Sequence, residues 1–429
     1  MRVSAYTLGC KVNQYDTEGV LSSFRERGYE IVPFNEETDV VIINTCTVTA
    51  ESDKKSRQII RRARENNPQA ILVVMGCYTQ TAAKEVAEIV GVDIILGTSG
   101  REKIVDLVEQ YLLEKKQIIR VQNPEEFEEL PATYHERTRA YIKIEDGCEN
   151  FCSYCKIPYS RGKIRSRNPQ SILREVHQLV DSGIKEIIFT GIHIGAYGKD
   201  LENWNLARIL RESLKINGFR LRLSSIDPHE VDEEILELLE EPAFCRHLHI
   251  PLQSGTDKIL KAMNRNYDTN LYRNLKEKLQ EVSPLGFSTD VIVGFPGETE
   301  DDFLATCNFV KEMGFTRLHV FPFSRRKGTK AYLLPDQLPR SEKERRSKEL
   351  IAIGKELMNN YHTKQIGRLA EVVIEQEIQR PGSNRKSYTG MTEDYIKVYT
   401  DDPGNGLVTV KLVKVCSGGM IGSSQTRTI

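Results

Sequence analysis

Six of the nine cysteines fall into two triplets. Cys148, Cys152 and Cys155 share one short loop with the spacing C-x3-C-x2-C, whereas Cys10, Cys46 and Cys77 are spread over separate stretches of the N-terminal part. Four-iron, four-sulfur clusters are normally held by four thiolates, so a triplet leaves one iron with an open coordination position that can bind and activate a small molecule. Zinc is the strongest competing reading of the Cys148 loop. A structural zinc wants a fourth Cys or His, usually from a second nearby pair, and the first histidine downstream is His177. A disulfide is disfavoured because residues 1–6 lack an apolar run preceded by positive charge, which reads as cytosolic. Chance clustering is the remaining alternative.

The elements that would position the first triplet can be read from pattern. Residues 3–8, 40–44 and 71–75 are short, largely apolar runs, each followed by a helix-like stretch, which is a β/α repeat. In open α/β sheets, sites form outside the carboxyl ends of parallel strands. Cys10, Cys46 and Cys77 each stand one or two residues beyond such an end, so their convergence is geometrically natural. The bland alternative is three small buried loop residues.

At 429 residues, with 28% charged and 39% hydrophobic residues, the chain has room for two or three ordinary globular domains. No segment approaches a membrane span, and no Ser-His-Asp order, Walker loop or metalloprotease helix is present. The 60 basic and 61 acidic residues nearly cancel, but they are unevenly placed. Lys54, Lys55, Arg57, Arg61, Arg62 and Arg64 follow the Cys46 loop, and Arg161, Lys163, Arg165 and Arg167 crowd behind Cys155. Residues 230–241 are acidic without a basic residue and read as a solvated helix face. Basic residues beside both cysteine loops suit a phosphate backbone delivered to the site, although Lys- and Arg-rich surface helices often bind nothing.

Pattern divides the chain into a doubly wound parallel-sheet unit (1–116), an acidic, proline-flanked linker (117–138), a central unit (139–335), a connecting helix (336–365) and a terminal unit (366–429). Six strand-like runs in the central unit, at 141–144, 186–190, 220–225, 247–251, 288–294 and 317–321, fit a partial (β/α)6 TIM-like barrel, with the cysteine loop after its first strand. Strand-like runs at 369–375, 386–392, 395–400 and 407–415 predict a small terminal β-barrel. The overall class is α/β. Cys245, Cys307 and Cys416 read as ordinary thiols.

The loop C-x3-C-x-aromatic-C, with Tyr154 as the aromatic, resembles the cluster loop of the radical S-adenosylmethionine superfamily. Residues 7–14 (T-L-G-C-K-V-N-Q), 44–48 (N-T-C-T-V) and 75–77 (M-G-C) resemble the N-terminal signatures of its methylthiotransferases. The match spans the whole chain, and L-G-C-K-V-N-Q-Y-D is most similar to the branch acting on N6-threonylcarbamoyladenosine in tRNA. The resemblance implies two 4Fe–4S clusters, on Cys10, Cys46 and Cys77 and on the catalytic set Cys148, Cys152 and Cys155. S-adenosylmethionine would be chelated by the open iron of the second, with Tyr154 beside the adenine. Thr190 and Gly191, Ser225 and Asp227, Gln253, Asp290, and Gly294 in a G-F-P-G-E turn match the family's cofactor-contacting pieces. Each also has a plain structural reading as a turn or cap.

The terminal barrel resembles a TRAM domain, an oligonucleotide-binding-like (OB-like) barrel that holds RNA, through Arg385, Lys386, Tyr388, Tyr395 and Tyr399. With Lys54, Lys55, Arg57, Arg61, Arg161, Arg165 and Arg167 these are the expected RNA contacts. The implied activity is addition of a methylthio group to carbon 2 of adenosine 37 of tRNA by a cytoplasmic monomer, with a flavodoxin or ferredoxin as electron donor. Isopentenyladenosine-37 or a ribosomal-protein aspartate is the alternative substrate. A non-catalytic iron–sulfur or zinc RNA-binding protein is the alternative of another class.

Overall fold

The structure, a computed structural model, describes residues 1–130, 138–379, 386–404 and 406–424. Its N-terminal sheet contains β1 (Arg2–Thr7), β2 (Glu30–Ile31), β3 (Val40–Thr45), β4 (Ile71–Gly76), β5 (Ile94–Leu96) and β6 (Ile118–Arg120), all parallel, in the order β2-β1-β3-β4-β5-β6. Helices α1 (Lys11–Glu26), α2 (Ala50–Asn66), α3 (Cys77–Ala87) and α4 (Ile104–Glu114) cover it. β3 and β4 are buried along their whole length, as strands covered on both faces must be. Val40, Ile42 and Val73 meet α1 and α4 on one face, while Val41, Ile43 and Val74 meet α2 and α3 on the other. The strand order reverses between β1 and β3, and the crevice of such a switch point opens at the carboxyl ends of these strands, where Cys10 and Cys46 lie. β6 carries the sheet past residue 116, inside the stretch expected to be linker. Three residues are too few to show a strand period.

The central unit comprises β7 (Arg139–Lys143), β8 (Glu145–Asp146), α5 (Ile157–Arg161), β9 (Arg165–Ser166), α6 (Pro169–Asp181), β10 (Glu186–Thr190), α7 (Leu206–Leu214), β11 (Arg220–Leu223) and α8 (Glu233–Leu238). It continues through β12 (His247–His249), α9 (Asp257–Ala262), α10 (Thr269–Leu279), β13 (Gly286–Val293), α11 (Glu300–Met313) and β14 (Arg317–Pro322). Two parallel sheets, β11-β10-β7 and β12-β13-β14, are joined by bridges from Leu221 to Phe244 and from Ser225 to His249. The six expected strands thus form one arc whose opening lies between β7 and β14. The N-terminal unit stands across that opening. Tyr15 of α1 packs with Leu130 and Tyr141 of β7 on one side. On the other, the Ala50 N–H donates to Ser324 Oγ at 3.0 Å, and Arg326 pairs with Asp53 at 2.9 Å.

α12 (Arg340–Lys364) follows, with Leu350 buried against the arc and Ile353 and Leu357 packed beside it. The terminal unit is a closed barrel, β15-β16-β17-β19-β18, of β15 (Leu369–Gln379), β16 (Lys386–Thr392), β17 (Lys397–Thr400), β18 (Leu407–Cys416) and β19 (Gly419–Ser424). β19, G-M-I-G-S-S, escaped sequence reading because it lacks apolar alternation. This barrel caps the amino-terminal side of the arc. Arg220 donates to Glu371 O (3.1 Å) and Met391 O (2.7 Å), and Arg222 to Thr392 O (2.8 Å) and Glu393 O (3.0 Å). Tyr395, an expected RNA contact, instead stacks on His247 with ring centroids 4.5 Å apart and is spent on this docking. Among the described residues no helix is long and apolar enough to cross a membrane.

Candidate functional site

Cys10 is the residue before α1, Cys46 follows β3, and Cys77 opens α3. Two features draw the first two loops together. Gly9, at φ +110°, has its missing Cβ position 3.1 Å from Cys46 Cβ and 3.2 Å from Cys46 Sγ, so any side chain would push the cysteines apart. Asn13 Nδ2 donates to Leu8 O (2.8 Å) and to Thr45 O (3.1 Å). Thr45 Oγ1 donates to Met75 O at 2.7 Å and so ties in the third loop. Cys46 and Cys77 are buried while Cys10 is exposed; burial pushes the Cys46 thiol up to about 11, and Cys77 and Cys10 add to the rise, so the three thiols lie in one another's field.

The second triplet lies at the carboxyl end of β7. Gly147, at φ +101°, turns the chain where a side chain would run into the carbonyl of Lys163. The Cys148 N–H donates to Gly162 O (3.0 Å) and the Ser153 N–H to Met263 O (2.9 Å), fixing both ends of the loop. Burial pushes Cys148 and Cys155 up to about 12; Cys148 feels Cys155 and Cys152, and Cys155 feels Cys152. Arg161, at the end of the helix that follows Cys155, bonds Cys77 Sγ at 3.3 Å, and Cys155 feels Cys77, so the two loops adjoin.

The donor set suits iron–sulfur ligation. Thiols this reluctant to ionise become thiolates when a metal supplies the compensating charge. Each triplet also carries N–H donors aimed at sulfur, a recognised influence on cluster potential. Val48 N–H reaches Cys46 Sγ at 3.5 Å and Arg161 Nε reaches Cys77 Sγ at 3.3 Å. Ile157 N–H reaches Cys155 Sγ at 3.4 Å and Arg265 reaches Cys152 Sγ at 3.2 Å. Among the described residues no disulfide competes for these sulfurs.

A buried lattice of charges ties the two cysteine loops together. Arg161 bonds Asp16 (3.1 Å), Asp146 (2.9 Å) and Asn13 Oδ1 (2.5 Å) besides Cys77. Lys143 reaches Asp16 at 2.7 Å and Asp146 at 3.4 Å, and Arg101 pairs with Asp16. Burial alone would raise the Asp16 carboxyl, but Arg101, Lys143 and Arg161 outweigh it and hold the group well below the usual carboxylate range. Asp146 is lowered likewise, burial being outweighed by Arg161, Lys143 and Arg165.

This lattice corrects three expected RNA contacts. Arg161 is fully buried, and Arg165 and Arg167 nearly so. Arg165 donates to the carbonyls of Arg161 and Lys163, and Arg167 is held by Glu129, Glu175 and the Tyr15 hydroxyl. Their charges are used inside the protein and present nothing to a phosphate. Lys54, Lys55 and Arg61 are exposed on α2, and Arg57 beside them donates to the Tyr78 hydroxyl at 2.9 Å while staying partly accessible. Arg385 and the Lys386 side chain lie outside the described residues. Tyr388 packs partly into the terminal barrel's core.

Of the residues expected near the cofactor, Tyr154 packs among Ile259, Met263, Phe295 and Phe323. Gly191 lies against Glu145, its missing Cβ position 2.7 Å from Glu145 Oε2, and buried Thr190 precedes it. Ser225 is exposed at a strand end. Asp227 accepts from Arg265 at 2.6 Å and from Asn150 Nδ2 at 3.1 Å, so it braces the Cys148 loop. Gln253 holds a left-handed backbone, φ +66°, a strain tolerated where function demands it. Asp290 lies between His249 (3.2 Å) and His319 (3.7 Å) in the lumen. Gly294 donates its N–H to Glu298 at 2.6 Å, and Arg346 of α12 holds Glu298 at 2.7 Å, which gives that turn a structural partner of its own.

Sequence reading missed Asn13, Asp16, Asp146 and Arg265, whose partners are remote in sequence. It also placed Glu230 on a solvated face, whereas Glu230 lies 2.7 Å from His193 Nε2 beneath the strand ends.

Comparison with known proteins agrees with this geometry. Residues 2–97 match the family described as "Uncharacterized protein family UPF0004", and residues 142–310 match the Radical SAM superfamily. The chain is 43% identical to the threonylcarbamoyladenosine tRNA methylthiotransferase MtaB of Bacillus subtilis, over 96% of this chain and 94% of that one. It is 38% identical to the MtaB of Aquifex aeolicus, over 93% and 96%. It is 34% identical to the tRNA-2-methylthio-N(6)-dimethylallyladenosine synthase of Clostridium tetani, over 97% and 94%. Among solved structures it is similar in fold to the radical S-adenosylmethionine methyltransferase TsrM of Kitasatospora setae, at a TM-score of 0.58 and 16% identity, covering 77% of this chain and 73% of that one. Full-length similarity and two adjoining thiol triplets on a sheet and a partial barrel lead to one assignment: the chain belongs to the radical S-adenosylmethionine methylthiotransferase family, whose members carry two 4Fe–4S clusters and use S-adenosylmethionine.

Proposed function

We propose that this enzyme adds a methylthio group to carbon 2 of N6-threonylcarbamoyladenosine at position 37 of tRNA. The observation that carries the reading is the pair of thiol triplets brought together at strand ends, with Arg161 of α5, the helix that follows Cys155, bonded to Cys77 Sγ at 3.3 Å. Cys148, Cys152 and Cys155 would hold the cluster that binds S-adenosylmethionine, and Cys10, Cys46 and Cys77 the cluster that carries sulfur. When bound and reduced by an external donor, the first would supply the electron that cleaves S-adenosylmethionine to methionine and a carbon radical able to activate an aromatic C–H bond that acid or base cannot, and the second would supply the sulfur.

The chain's own groups position and screen. Arg265 links Cys152 to Asp227, and Arg161 links Cys77 to the lattice, so neither loop can move alone. Tyr154 offers an apolar wall for an adenine, with Thr190, Gly191, Ser225, Asp227, Gln253 and Asp290 lining the strand ends around it. Such fixed geometry limits side reactions of a radical.

Lys54, Lys55, Arg57 and Arg61 would meet the tRNA backbone. Of these, Arg57 lines a groove of about 720 Å³ that also takes in Lys156, Tyr159, Arg325 and Lys327. The terminal barrel reads as a TRAM domain presenting Tyr399. As domains we propose 1–120 for the sheet unit, then the barrel from 139, the helix, and the terminal barrel from 369. A flavodoxin- or ferredoxin-type donor, a monomeric state and a cytoplasmic location complete the reading.

Nucleoside analysis of tRNA from a deletion strain tests it. Loss of 2-methylthio-N6-threonylcarbamoyladenosine alone, restored by the gene, is expected; loss of the isopentenyl derivative instead would contradict it.

A further inference from the structure

Phe151 stands between Cys148 and Cys152, and its backbone is left-handed, φ +45°, where a bulky side chain is an outlier. Asn264 braces that turn: its Nδ2 donates to Asn150 O at 3.1 Å and to Phe151 O at 3.3 Å. The phenyl ring so presented is 43% exposed. It meets Tyr159 of α5, 51% exposed, edge to face, with ring centroids 5.7 Å apart and planes at 75°. Among the described residues neither ring pairs with another aromatic, and a perpendicular pair leaves ring faces uncovered. Single exposed apolar residues need no explanation. A touching pair raised on a strained, braced turn does.

The pair borders both cysteine loops. Phe151 precedes Cys152 directly, and Tyr159 is two residues from Arg161, which donates to Cys77 Sγ at 3.3 Å. From Tyr159 the groove of about 720 Å³ crosses the seam between the two units, lined by Arg57 and Tyr78 on one side and by Lys156, Arg325 and Lys327 on the other. Arg57 lies over the Tyr78 ring (5.6 Å) and Arg325 over the Tyr332 ring (4.5 Å). The groove's carboxylates are engaged: Asp53 pairs with Arg326 at 2.9 Å, and Glu85 accepts from the Tyr78 hydroxyl at 3.0 Å. Among the described residues no salt bridge engages Arg57, Lys156, Arg325 or Lys327. Cations interleaved with aromatic faces are the pattern that holds single-stranded nucleic acid, phosphates on the former and bases on the latter.

We propose that Phe151 and Tyr159 form a stacking platform for the unpaired loop base next to the target adenosine of the tRNA. The proposal rests on the tRNA reading above. Loop bases stack on one another, and carbon 2 cannot enter a site between two cysteine loops until the adenosine leaves that stack. Its departure bares the face of the neighbouring base. An aromatic face at the rim of the site replaces the lost partner and holds the loop in its opened form, while the groove takes the phosphates on the same side. An acidic electron-donor protein would also match the cations, but the uncovered ring faces and the course of the groove across the seam favour a splayed RNA strand.

A double-mutant cycle between enzyme and RNA tests this, with the reconstituted full-length enzyme, dithionite as electron source and anticodon stem-loops bearing threonylcarbamoyladenosine. The enzymes are wild type, Phe151→Leu and Tyr159→Leu, which keep apolar bulk without a π-face. Tyr159 lies outside the cysteine loop, so its variant decides the matter if Phe151→Leu loses iron. The RNAs carry the natural bases or an abasic nucleotide immediately 5′ or immediately 3′ of the target. Each leucine variant should lower kcat/KM on the natural RNA by roughly 5- to 100-fold, the range of one base–aromatic stack. On RNA abasic at one of the two positions wild type should fall by a similar factor and the variants no further, and Phe151→Trp should retain the wild-type value on natural RNA. Equal losses by the variants on all three RNAs would overturn the proposal, as would no loss. So would a defect seen with a flavodoxin as donor but not with dithionite, which would make the rings a docking face for the electron donor. The cycle is repeated on isopentenyladenosine stem-loops: turnover of these alone overturns the substrate reading, and the coupling measured on them still decides the platform.

Discussion

Arg161 is the residue whose replacement tests the architecture most sharply. It is fully buried and touches Cys77, Asp16, Asp146 and Asn13, thereby joining the N-terminal sheet to the barrel. Arg161→Met keeps the bulk and removes the charge. Removing one partner of a buried ion pair costs about 3–5 kcal/mol because the other charge is left uncompensated. Here Asp16 keeps Arg101 and Lys143, and Asp146 keeps Lys143 and Arg165, which places the loss near the lower end, about 3 kcal/mol.

The pH dependence has a definite sign. Asp16 and Asp146 titrate lower in the folded chain than in the unfolded one, so their stabilisation is present above the unfolded carboxylate value and fades as pH falls through the folded value. The gap between wild type and variant should therefore be constant near neutrality and shrink only in acid, below about pH 4. Chemical denaturation of the anaerobic apo-protein at several pH values measures this. A second readout is electrochemical: loss of the N–H donor to Cys77 Sγ should lower the reduction potential of the Cys10, Cys46, Cys77 centre and leave the other unchanged. Wild-type stability in Arg161→Met, or an equal shift of both potentials, would refute the reasoning.

Two further outcomes follow from the geometry. Arg265→Met removes the donors to Cys152 Sγ and to Asp227, so the potential shift should appear at the other centre; a fall in S-adenosylmethionine cleavage of roughly 10-fold, the value of a charge-assisted hydrogen bond, should accompany it in a 5′-deoxyadenosine assay. The triple change Lys54→Gln, Lys55→Gln, Arg61→Gln should flatten the salt dependence of tRNA binding by about one unit of log–log slope per lost phosphate contact. RNA-independent cleavage should stay intact, whereas Arg167→Gln should lower stability and leave the salt slope unchanged.

Much of the fold was legible because its signals are local. Apolar runs that end just before Cys10, Cys46 and Cys77 announce strands that deliver side chains to one edge, and the six barrel strands each show as a strand-like run, apolar or alternating. Short strands were not legible: Glu30–Ile31, Ile118–Arg120 and Gly419–Ser424 are too brief or too rich in glycine and serine to show a period. The basic run behind Cys155 misled for a different reason. Whether an arginine faces solvent or an inner carboxylate depends on partners such as Asp16, Glu129 and Glu175, which pattern in the run itself cannot reveal. Arg265 escaped for the same reason, its partners being remote. Tyr395 looked like an RNA contact by residue type, yet the docked barrel places it on His247.

The most direct measurement is iron and sulfide content with 5′-deoxyadenosine and methylthio-nucleoside formation, in wild type and two triple alanine variants after anaerobic reconstitution. Two 4Fe–4S centres require about eight irons in wild type and about four in each variant. Cleavage should vanish when Cys148, Cys152 and Cys155 are replaced. It should persist without methylthio transfer when Cys10, Cys46 and Cys77 are. About four irons in wild type, a content of zinc, or methylthio transfer surviving loss of the Cys10, Cys46, Cys77 set would contradict the two-centre reading.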